Sequence, residues 1–300
     1  SPVDETIKIV AIDQWGNEAS KTINVKVKIE SKTVVKKLEP LNPTIIKTKK
    51  DNNKVALIIG IENYKHISKA DYANRDAKYF YEYAKKAFGV NDNNIKLLLD
   101  KDAGLVSTLA TISKWLPGKI QKNQTDLIIF FAGHGLASND GKELFLLTQD
   151  SDADLLQRTA LSRTEIFEKI IKLNPKSTTI FLDACYTGFS RDNEMLLTSA
   201  RPIRIVANEQ EGIPDNFTIF TASQLDQISS GLKEANHGIF SYYLMKGLEG
   251  NADSNKDYKI TNGELLAYMD LNVSQKAAVL GRQQNPSLSG DPDQVLMSYR

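Results

Sequence analysis

The chain has a single cysteine, Cys185, and three histidines, His66, His134 and His237. A cysteine becomes a nucleophile when a nearby histidine takes its proton or stabilises its thiolate. His134 lies in "FFAGHGLASNDG" and Cys185 in "STTIFLDACYTG", each directly after an apolar run. The alternative for Cys185 is an inert, buried thiol. His66 and His237 are expected to be loop or capping residues.

The two apolar runs are predicted to be strands of one parallel sheet. From residue 54 the chain alternates buried-type strands with amphipathic helices, which is typical of a parallel sheet covered by helices on both faces. Ligand sites in such sheets lie beyond the carboxyl ends of the strands, and neighbouring strands end about 5 Å apart. His134 and Cys185 can therefore meet. We predict strands at 54–60, 94–100, 125–135, 177–188 and 216–223, a hairpin arm at 142–150, and helices at 72–88, 105–116, 162–173 and 238–249.

The first 53 residues have a different texture. Residues 6–12 and 22–29 alternate in period two around "DQWGNEAS", which predicts an antiparallel β-hairpin within residues 1–30. The hairpin resembles the last two strands of bacterial immunoglobulin-like modules and could be a remnant of one, which is compatible with a location outside the cytoplasm; the compartment stays open. Residues 31–53, rich in Lys, Pro and Asn, are expected to form a linker over a surface.

Length and composition limit the classes of function. The 300 residues, 41% of them hydrophobic, can bury one large core, or one core and a small appendage. With 38 basic and 37 acidic residues, nothing points to nucleic acid or an anionic membrane as a partner. No apolar run is long enough to span a membrane, and the start has no signal-peptide character. One cysteine excludes an internal disulfide framework and a cysteine-based zinc site. We expect a monomer rather than a dimer.

These motifs resemble the caspase-like cysteine peptidases, particularly their bacterial and metacaspase-like branch. Caspases carry a histidine about 50 residues before the cysteine of Q-A-C-x-G, and here His134 precedes Cys185 by 51 positions. The resemblance covers residues 54–300 and includes "LIIGIENY" and "TASQLDQISSGLKEANHGIFSYYLMKGLEG". It implies an α/β fold, a three-layer α/β/α sandwich with a mainly parallel central sheet. It also implies a large-subunit-like part at 54–190, a candidate processing linker at 191–215 and a small-subunit-like part at 216–300.

A Cys-His endopeptidase is the function that this resemblance implies. Cys185 is the expected nucleophile, His134 the general base or ion-pair partner, and the backbone N–H groups of Gly135 and Cys185 the oxyanion donors. No cofactor is required for this chemistry. A catalytically silent scaffolding or binding domain is the alternative. A nucleotide-binding domain is disfavoured, because no glycine-rich phosphate loop follows the first strand.

An acidic residue stands where caspases have glutamine, two positions before the nucleophile. The resemblance places this residue, Asp183, at the floor of the primary specificity pocket. A carboxylate there favours arginine or lysine, so proteins or peptides with a basic residue at the cleaved bond are the expected substrates. Asp76, of "ANRDA", and Asp226, of "SQLDQ", are further candidates. A structural capping role for Asp183, and a helix-surface or capping role for Asp76, are the alternatives.

Activation is left open between two schemes. Arg191, Arg201 and Arg204 lie in the candidate processing linker, where a peptidase that prefers basic residues could cut itself. Equally, the N-terminal hairpin or the lysine-rich linker could cover the cleft as an inhibitory segment.

A candidate calcium loop occupies residues 253–264, "DSNKDYKITNGE". Oxygen-bearing side chains at positions 1, 3, 5, 9 and 12, and a backbone carbonyl at position 7, follow the order of a calcium-binding loop. Position 6 should be glycine and is Tyr258. The alternative is a capping box for the next helix, formed by its Thr and Glu. Calcium here would stiffen the structure rather than perform chemistry. The candidate ligands are Asp253, Asn255, Asp257, Lys259, Thr261 and Glu264.

Overall fold

The structure is a computed structural model that describes residues 5–25, 38–186, 213–223, 227 and 230–299. It divides the chain into two compact units, Ser1–Glu39 and Pro40–Arg300. In the described ranges, no helix combines the length and the apolar character that crossing a membrane requires.

Strands and helices are numbered in sequence order. The strands are β1 Glu5–Ile12, β2 Glu18–Val25, β3 Lys54–Gly60, β4 Ile95–Leu99, β5 Asp126–Ala132, β6 Gly135–Ala137, β7 Leu144–Leu146, β8 Leu161–Ser162, β9 Ser177–Asp183, β10 Phe217–Thr221, β11 Gly231–Leu232, β12 His237–Gly238, β13 Lys259–Thr261, β14 Ser287–Ser289 and β15 Val295–Ser298. The α-helices are α1 Ala73–Lys86, α2 Leu105–Ala110, α3 Leu156–Thr159, α4 Arg163–Leu173, α5 Ile239–Lys246 and α6 Asn262–Val279. Wider π-helical turns continue α2 and α5, at Thr111–Trp115 and Gly247–Asn251.

A six-stranded sheet forms the centre of the second unit, in the order β14-β10-β9-β5-β3-β4. Its strands pair in parallel except β14, which pairs antiparallel with β10 at one edge. In β3, β5 and β9 every residue after the first is buried, as expected for strands covered on both faces. The predicted, mainly parallel sheet is confirmed.

Helices cover both faces of this sheet. On one face, alternate residues of the strands, such as Leu57, Ile129 and Leu182, pack in one apolar cluster with Ile166 and Ile170 of α4. On the other face the ring of Phe80, in α1, stacks on Phe130 of β5 with centroids 4.3 Å apart. Because strand side chains alternate between faces, β5 directs Ile129 to one face and Phe130 to the other. This arrangement confirms the predicted three-layer sandwich.

The N-terminal unit contains the predicted antiparallel hairpin, in which Ile12 pairs with Glu18. Its turn is shorter than the sequence pattern suggested. The Asp13 carboxylate accepts hydrogen bonds from the backbone N–H groups of Trp15 and Asn17, and this closes the turn within five residues. Strand β2 therefore starts at Glu18 rather than near residue 22.

The end of the predicted linker, from Pro40 onward, belongs to the second unit and packs within it. The Pro40 carbonyl accepts a hydrogen bond from Lys246 Nζ at 3.0 Å, and Lys246 also pairs with Glu249 at 2.7 Å. Tyr83 of α1 donates its hydroxyl proton to the same Glu249 carboxylate. Burial is the main cause that raises the pKa of Tyr83, and the hydrogen bond to Glu249 raises it further. A buried polar cluster thus fastens the chain to α1 and α5 before the sheet begins.

Candidate functional site

The backbone places His134 opposite Cys185 beyond the carboxyl ends of β5 and β9. Ala132 pairs with Asp183 at the ends of these strands. The ladder then continues, because the N–H of Gly133 donates to the Asp183 carbonyl at 3.2 Å and that of Gly135 donates to the Cys185 carbonyl at 3.1 Å. Two residues beyond the last strand pair, this register brings His134 and Cys185 to the same level.

Cys185 carries a buried thiol that forms no disulfide, and the residue is 7% exposed. The hydroxyl of Ser223, two residues beyond β10, lies 4.0 Å from its sulfur. At this distance the hydroxyl can donate only a weak hydrogen bond to the sulfur. The same hydroxyl also lies 3.3 Å from the Gln227 carbonyl oxygen, so its one proton is shared between two acceptors. Ser223 was not predicted to belong to the site, because only the third strand end brings it near the thiol.

The His134 ring is held by a backbone acceptor. Its Nε2 lies 3.0 Å from the carbonyl oxygen of Ser68, in the loop between β3 and α1. Because a carbonyl only accepts hydrogen bonds, Nε2 carries the proton, and in the neutral ring Nδ1 is the basic nitrogen. The ring also packs on that of Tyr64, with centroids 4.9 Å apart. No sequence motif indicated either contact. Ser68 acts through its backbone carbonyl, which every residue type has.

The two glycines that flank His134 lie where neighbouring groups leave little room for a side chain. A Cβ on Gly133 would lie 2.5 Å from the Tyr64 hydroxyl, which accepts the His134 backbone N–H at 2.7 Å. A Cβ on Gly135 would lie 2.9 Å from both the Cys185 carbonyl oxygen and the Tyr186 ring. Both positions therefore exclude a side chain.

The expected oxyanion role of Gly135 meets an obstacle in this conformation. Its N–H already donates to the Cys185 carbonyl, and one N–H cannot also face a substrate oxygen without lengthening that bond. The role stays a prediction, and it requires this hydrogen bond to open.

The loop that holds His134 is itself fixed by Asp100, directly after β4. The Asp100 carboxylate accepts the backbone N–H groups of Glu62 and Asn63 at 2.8 and 3.0 Å and the side-chain amides of Asn63 and Asn74. Partial burial works against ionisation, but these four donors outweigh it and lower the pKa of Asp100. Asp100 was not predicted as a site residue, because its partners lie 26 to 38 positions away in the chain.

Asp183 and Asp76 are fully buried and lie on the α1–α5 side of the sheet. Asp183 Oδ2 accepts a hydrogen bond from the Ser241 hydroxyl, in α5, at 2.6 Å. Asp76, in the first turn of α1, accepts from His237 Nδ1 at 2.6 Å and from the Gly238 N–H at 3.0 Å. A helix-surface position for Asp76 is excluded, because the residue has no exposed area.

The remaining histidines differ from one another. His66 is exposed, in agreement with a loop residue. His237 is 3% exposed and binds a buried carboxylate, so the expectation of a simple loop or capping residue was wrong. The sequence carried no signal for this contact, since its partner lies 161 positions away.

Several candidate residues lie outside the described residues. They are the third acidic pocket candidate and the three candidate processing sites, namely Asp226, Arg191, Arg201 and Arg204.

The loop at 253–264 directs its oxygens to its own backbone. Asp253 accepts the N–H groups of Asp257 and Tyr258, while Asp257 accepts that of Lys259. Tyr258 has a φ of 65°, so the position where calcium loops carry glycine adopts the left-handed conformation without one. No group of three His, Cys, Asp or Glu side chains suited to a metal occurs among the described residues. Calcium binding by this loop stays a prediction.

The capping-box interpretation of the loop's end is confirmed. The Thr261 hydroxyl accepts the Glu264 N–H at 3.2 Å, and the Glu264 carboxylate accepts the Thr261 N–H at 3.0 Å. These two bonds start α6 and satisfy two backbone donors at its N-terminus.

Comparisons with known proteins agree with this architecture. The family model described as the caspase domain matches residues 53–296. A crystal structure of a Geobacter sulfurreducens protein from a structural genomics programme aligns with a TM-score of 0.55 at 17% identity, covering 82% of this chain and 97% of that one. The structure of pro-sf-caspase-1 aligns with a TM-score of 0.52 at 13% identity, covering 87% and 95%. At these identities the two structures show a shared fold. A search of curated proteins found no match.

Proposed function

Because this chain belongs to the caspase-domain family of cysteine peptidases, we propose that it is an endopeptidase with a Cys185–His134 dyad that cleaves after arginine or lysine. The observation that carries the proposal is the continued backbone ladder, which sets His134 opposite Cys185. The orientation of the imidazole supports it, since the Ser68 carbonyl leaves Nδ1 as the basic nitrogen.

In the proposed reaction, the Cys185 thiolate attacks the carbonyl carbon of the scissile peptide bond. The tetrahedral oxyanion is stabilised by the Cys185 N–H, and by the Gly135 N–H once its bond to the Cys185 carbonyl opens. Protonated His134 gives its proton to the leaving amine as the C–N bond breaks, which leaves a thioester on Cys185. Water, deprotonated by His134, then hydrolyses the thioester, releasing the acid and regenerating the thiolate.

The proposed preference for basic residues rests on Asp183 and Asp76. Both carboxylates lie on the same side of the sheet. The N–H of Gly238, the residue before α5, donates a hydrogen bond to Asp76, and the Ser241 hydroxyl, in α5, donates one to Asp183. Two carboxylates suit a guanidinium or an ammonium and repel an aspartate side chain. Both are fully buried in this conformation, so the proposed role requires the residues that cover them to move when a substrate binds. Asp226 is a third member of the proposed pocket.

Regulation of the proposed enzyme includes self-cleavage and calcium. Arg191, Arg201 and Arg204 are the proposed self-processing sites. Calcium at the 253–264 loop is proposed to act on structure rather than on the reaction. We further propose that the protein acts as a monomer on protein or peptide substrates.

A panel of fluorogenic peptides that differ only in the residue before the cleaved bond tests the function. We expect cleavage of arginyl and lysyl peptides, loss of activity to background in Cys185→Ala and in His134→Ala, and selective loss of the basic substrates in Asp183→Ala. Cleavage of aspartyl peptides instead would refute the specificity. Failure of an arginyl thiol-reactive inhibitor to label Cys185 would favour the alternative, a catalytically silent scaffolding domain.

A further inference from the structure

One five-residue stretch of the chain contacts both proposed pocket acids. Within residues 237–241, His237 Nδ1 and the Gly238 N–H hold the Asp76 carboxylate, and the Ser241 hydroxyl holds that of Asp183. Asp76 is carried by α1 and Asp183 by β9. The junction of β12 with the first turn of α5 therefore sets the relative position of two carboxylates that belong to separate elements.

His237 is buried and packed at this junction. The residue is 3% exposed, and its ring meets the Tyr79 ring edge-on, with centroids 4.8 Å apart and an interplanar angle of 84°. Its backbone pairs with Leu232 across the β11–β12 hairpin. Since an ionised carboxylate only accepts hydrogen bonds, Nδ1 is the donor in the 2.6 Å contact with Asp76.

The two basic side chains place different demands on the geometry of such a pocket. The guanidinium of arginine is a planar fork whose donors match fixed carboxylate oxygens, whereas the ammonium of lysine is a compact point charge on a flexible stem. Arginine recognition therefore depends on the orientation of the carboxylates. Lysine recognition depends mainly on their charge.

We propose that His237 is a positioning residue for arginine recognition: it fixes the Asp76 carboxylate so that Asp76 and Asp183 together fit a guanidinium. This inference rests on the proposed function and adds a specificity determinant that touches an acid rather than the reacting atoms. The acids supply the charge of the proposed pocket, and His237 sets the orientation of the Asp76 carboxylate.

Kinetic constants of His237 variants on matched arginyl and lysyl peptides test the proposal. In His237→Leu we expect the KM for the arginyl peptide to rise about 10- to 30-fold, as for the loss of a charge-assisted buried hydrogen bond. The KM for the lysyl peptide and the kcat for both should change less than about threefold. His237→Asn, whose side-chain amide can replace the Nδ1–H donor, should restore most of the arginyl KM. His66→Leu, at the exposed histidine, is the matched control.

A binding measurement makes the test independent of turnover. In a Cys185→Ala background, the Kd of benzamidine, an arginine side-chain mimic, should rise with His237→Leu by the same factor as the arginyl KM. Should His237→Leu fail to fold, His237→Gln replaces it, because its amide reaches the Nε2 rather than the Nδ1 position.

Two outcomes overturn the proposal while leaving the proposed function intact. One is a ratio of arginyl to lysyl kcat/KM that is the same in His237→Leu as in the wild type. The other is an equal fall in kcat for both peptides, which indicates a general structural role. A wild-type chain that cleaves neither peptide instead overturns the proposed function, and this inference with it.

Discussion

The Nε2 of His134 lies 3.0 Å from the carbonyl oxygen of Ser68. The ring is therefore oriented by the backbone of the loop between β3 and α1, and no carboxylate side chain is needed to select its tautomer. That loop is in turn held by the Asp100 carboxylate. The geometry of the candidate dyad thus depends on residues that precede α1 as well as on the two strand ends.

Tyr64→Phe is expected to weaken the candidate site by removing a hydrogen bond to the backbone of His134. The Tyr64 hydroxyl accepts the backbone N–H of His134 at 2.7 Å, and its removal leaves a buried donor without that acceptor. Such a loss costs about 1–3 kcal/mol. We expect a lower free energy of unfolding in urea and a lower kcat on basic peptides. Tyr81→Phe is the control, because the Tyr81 hydroxyl donates to Asp92 in an exposed hydrogen bond. It should change neither the free energy of unfolding nor the kcat appreciably.

Gly133→Ala should destabilise the fold by about 1–3 kcal/mol, because the new Cβ would lie 2.5 Å from the Tyr64 hydroxyl. Combining it with Tyr64→Phe removes the clashing oxygen. The double variant should therefore be more stable than the sum of the two single effects predicts. Urea unfolding of all four proteins measures this coupling, and strict additivity would contradict the proposed clash.

Asp100→Asn is expected to lower the Tm by roughly 2–5 °C. Asp100 has a φ of 41°, a conformation that asparagine tolerates, so the substitution isolates the side-chain chemistry. An amide has one acceptor oxygen where the carboxylate serves four donors. Asp102→Asn, on an exposed neighbour, should leave the Tm unchanged.

The effect of Asp100 should also depend on pH. The pKa of Asp100 is lowered in the folded chain, so its contribution to stability is fully present above the unfolded pKa of about 3.9 and is lost as the pH falls through the folded pKa. The Tm difference between wild type and Asp100→Asn should therefore be constant near neutrality and shrink below about pH 4. A difference that grew in acid would contradict the assigned hydrogen bonds.

Thr261→Ala should reduce the free energy of unfolding by about 1 kcal/mol, because it removes the capping hydroxyl at the start of α6. Thr261→Ser keeps the hydroxyl and serves as the control. Equal stabilities of the two variants in urea would show that the cap contributes little.

A calcium titration followed by Tm and by intact mass tests the proposed metal. Calcium at the 253–264 loop must replace backbone N–H groups as partners of Asp253 and Asp257. We expect any calcium-dependent rise in Tm to disappear in Asp253→Asn. Calcium-dependent fragments of the intact chain, absent in Cys185→Ala, would report self-processing. Calcium-independent cleavage would restrict the ion to a structural role.

The architecture was readable from the sequence because periodicity is local. The apolar runs that became β3, β5 and β9 and the amphipathic pattern of α1 predicted the layers that the structure has. Boundaries were less accurate. The strand predicted at 125–135 ends at Ala132, and the next residues, Gly133 and His134, belong to the candidate site.

By itself, the sequence predicted the fold class and the family, and it nominated Cys185 and His134 as the candidate pair for thiol chemistry, because a lone cysteine and three histidines leave few alternatives. Only the tertiary structure decided that Ser68 orients His134, that Asp100 holds the Ser68 loop and that His237 binds Asp76. These contacts join residues 37 to 161 positions apart in the chain. Hydrophobic period and motif spacing record which elements form. They do not record which polar atoms meet when the elements pack.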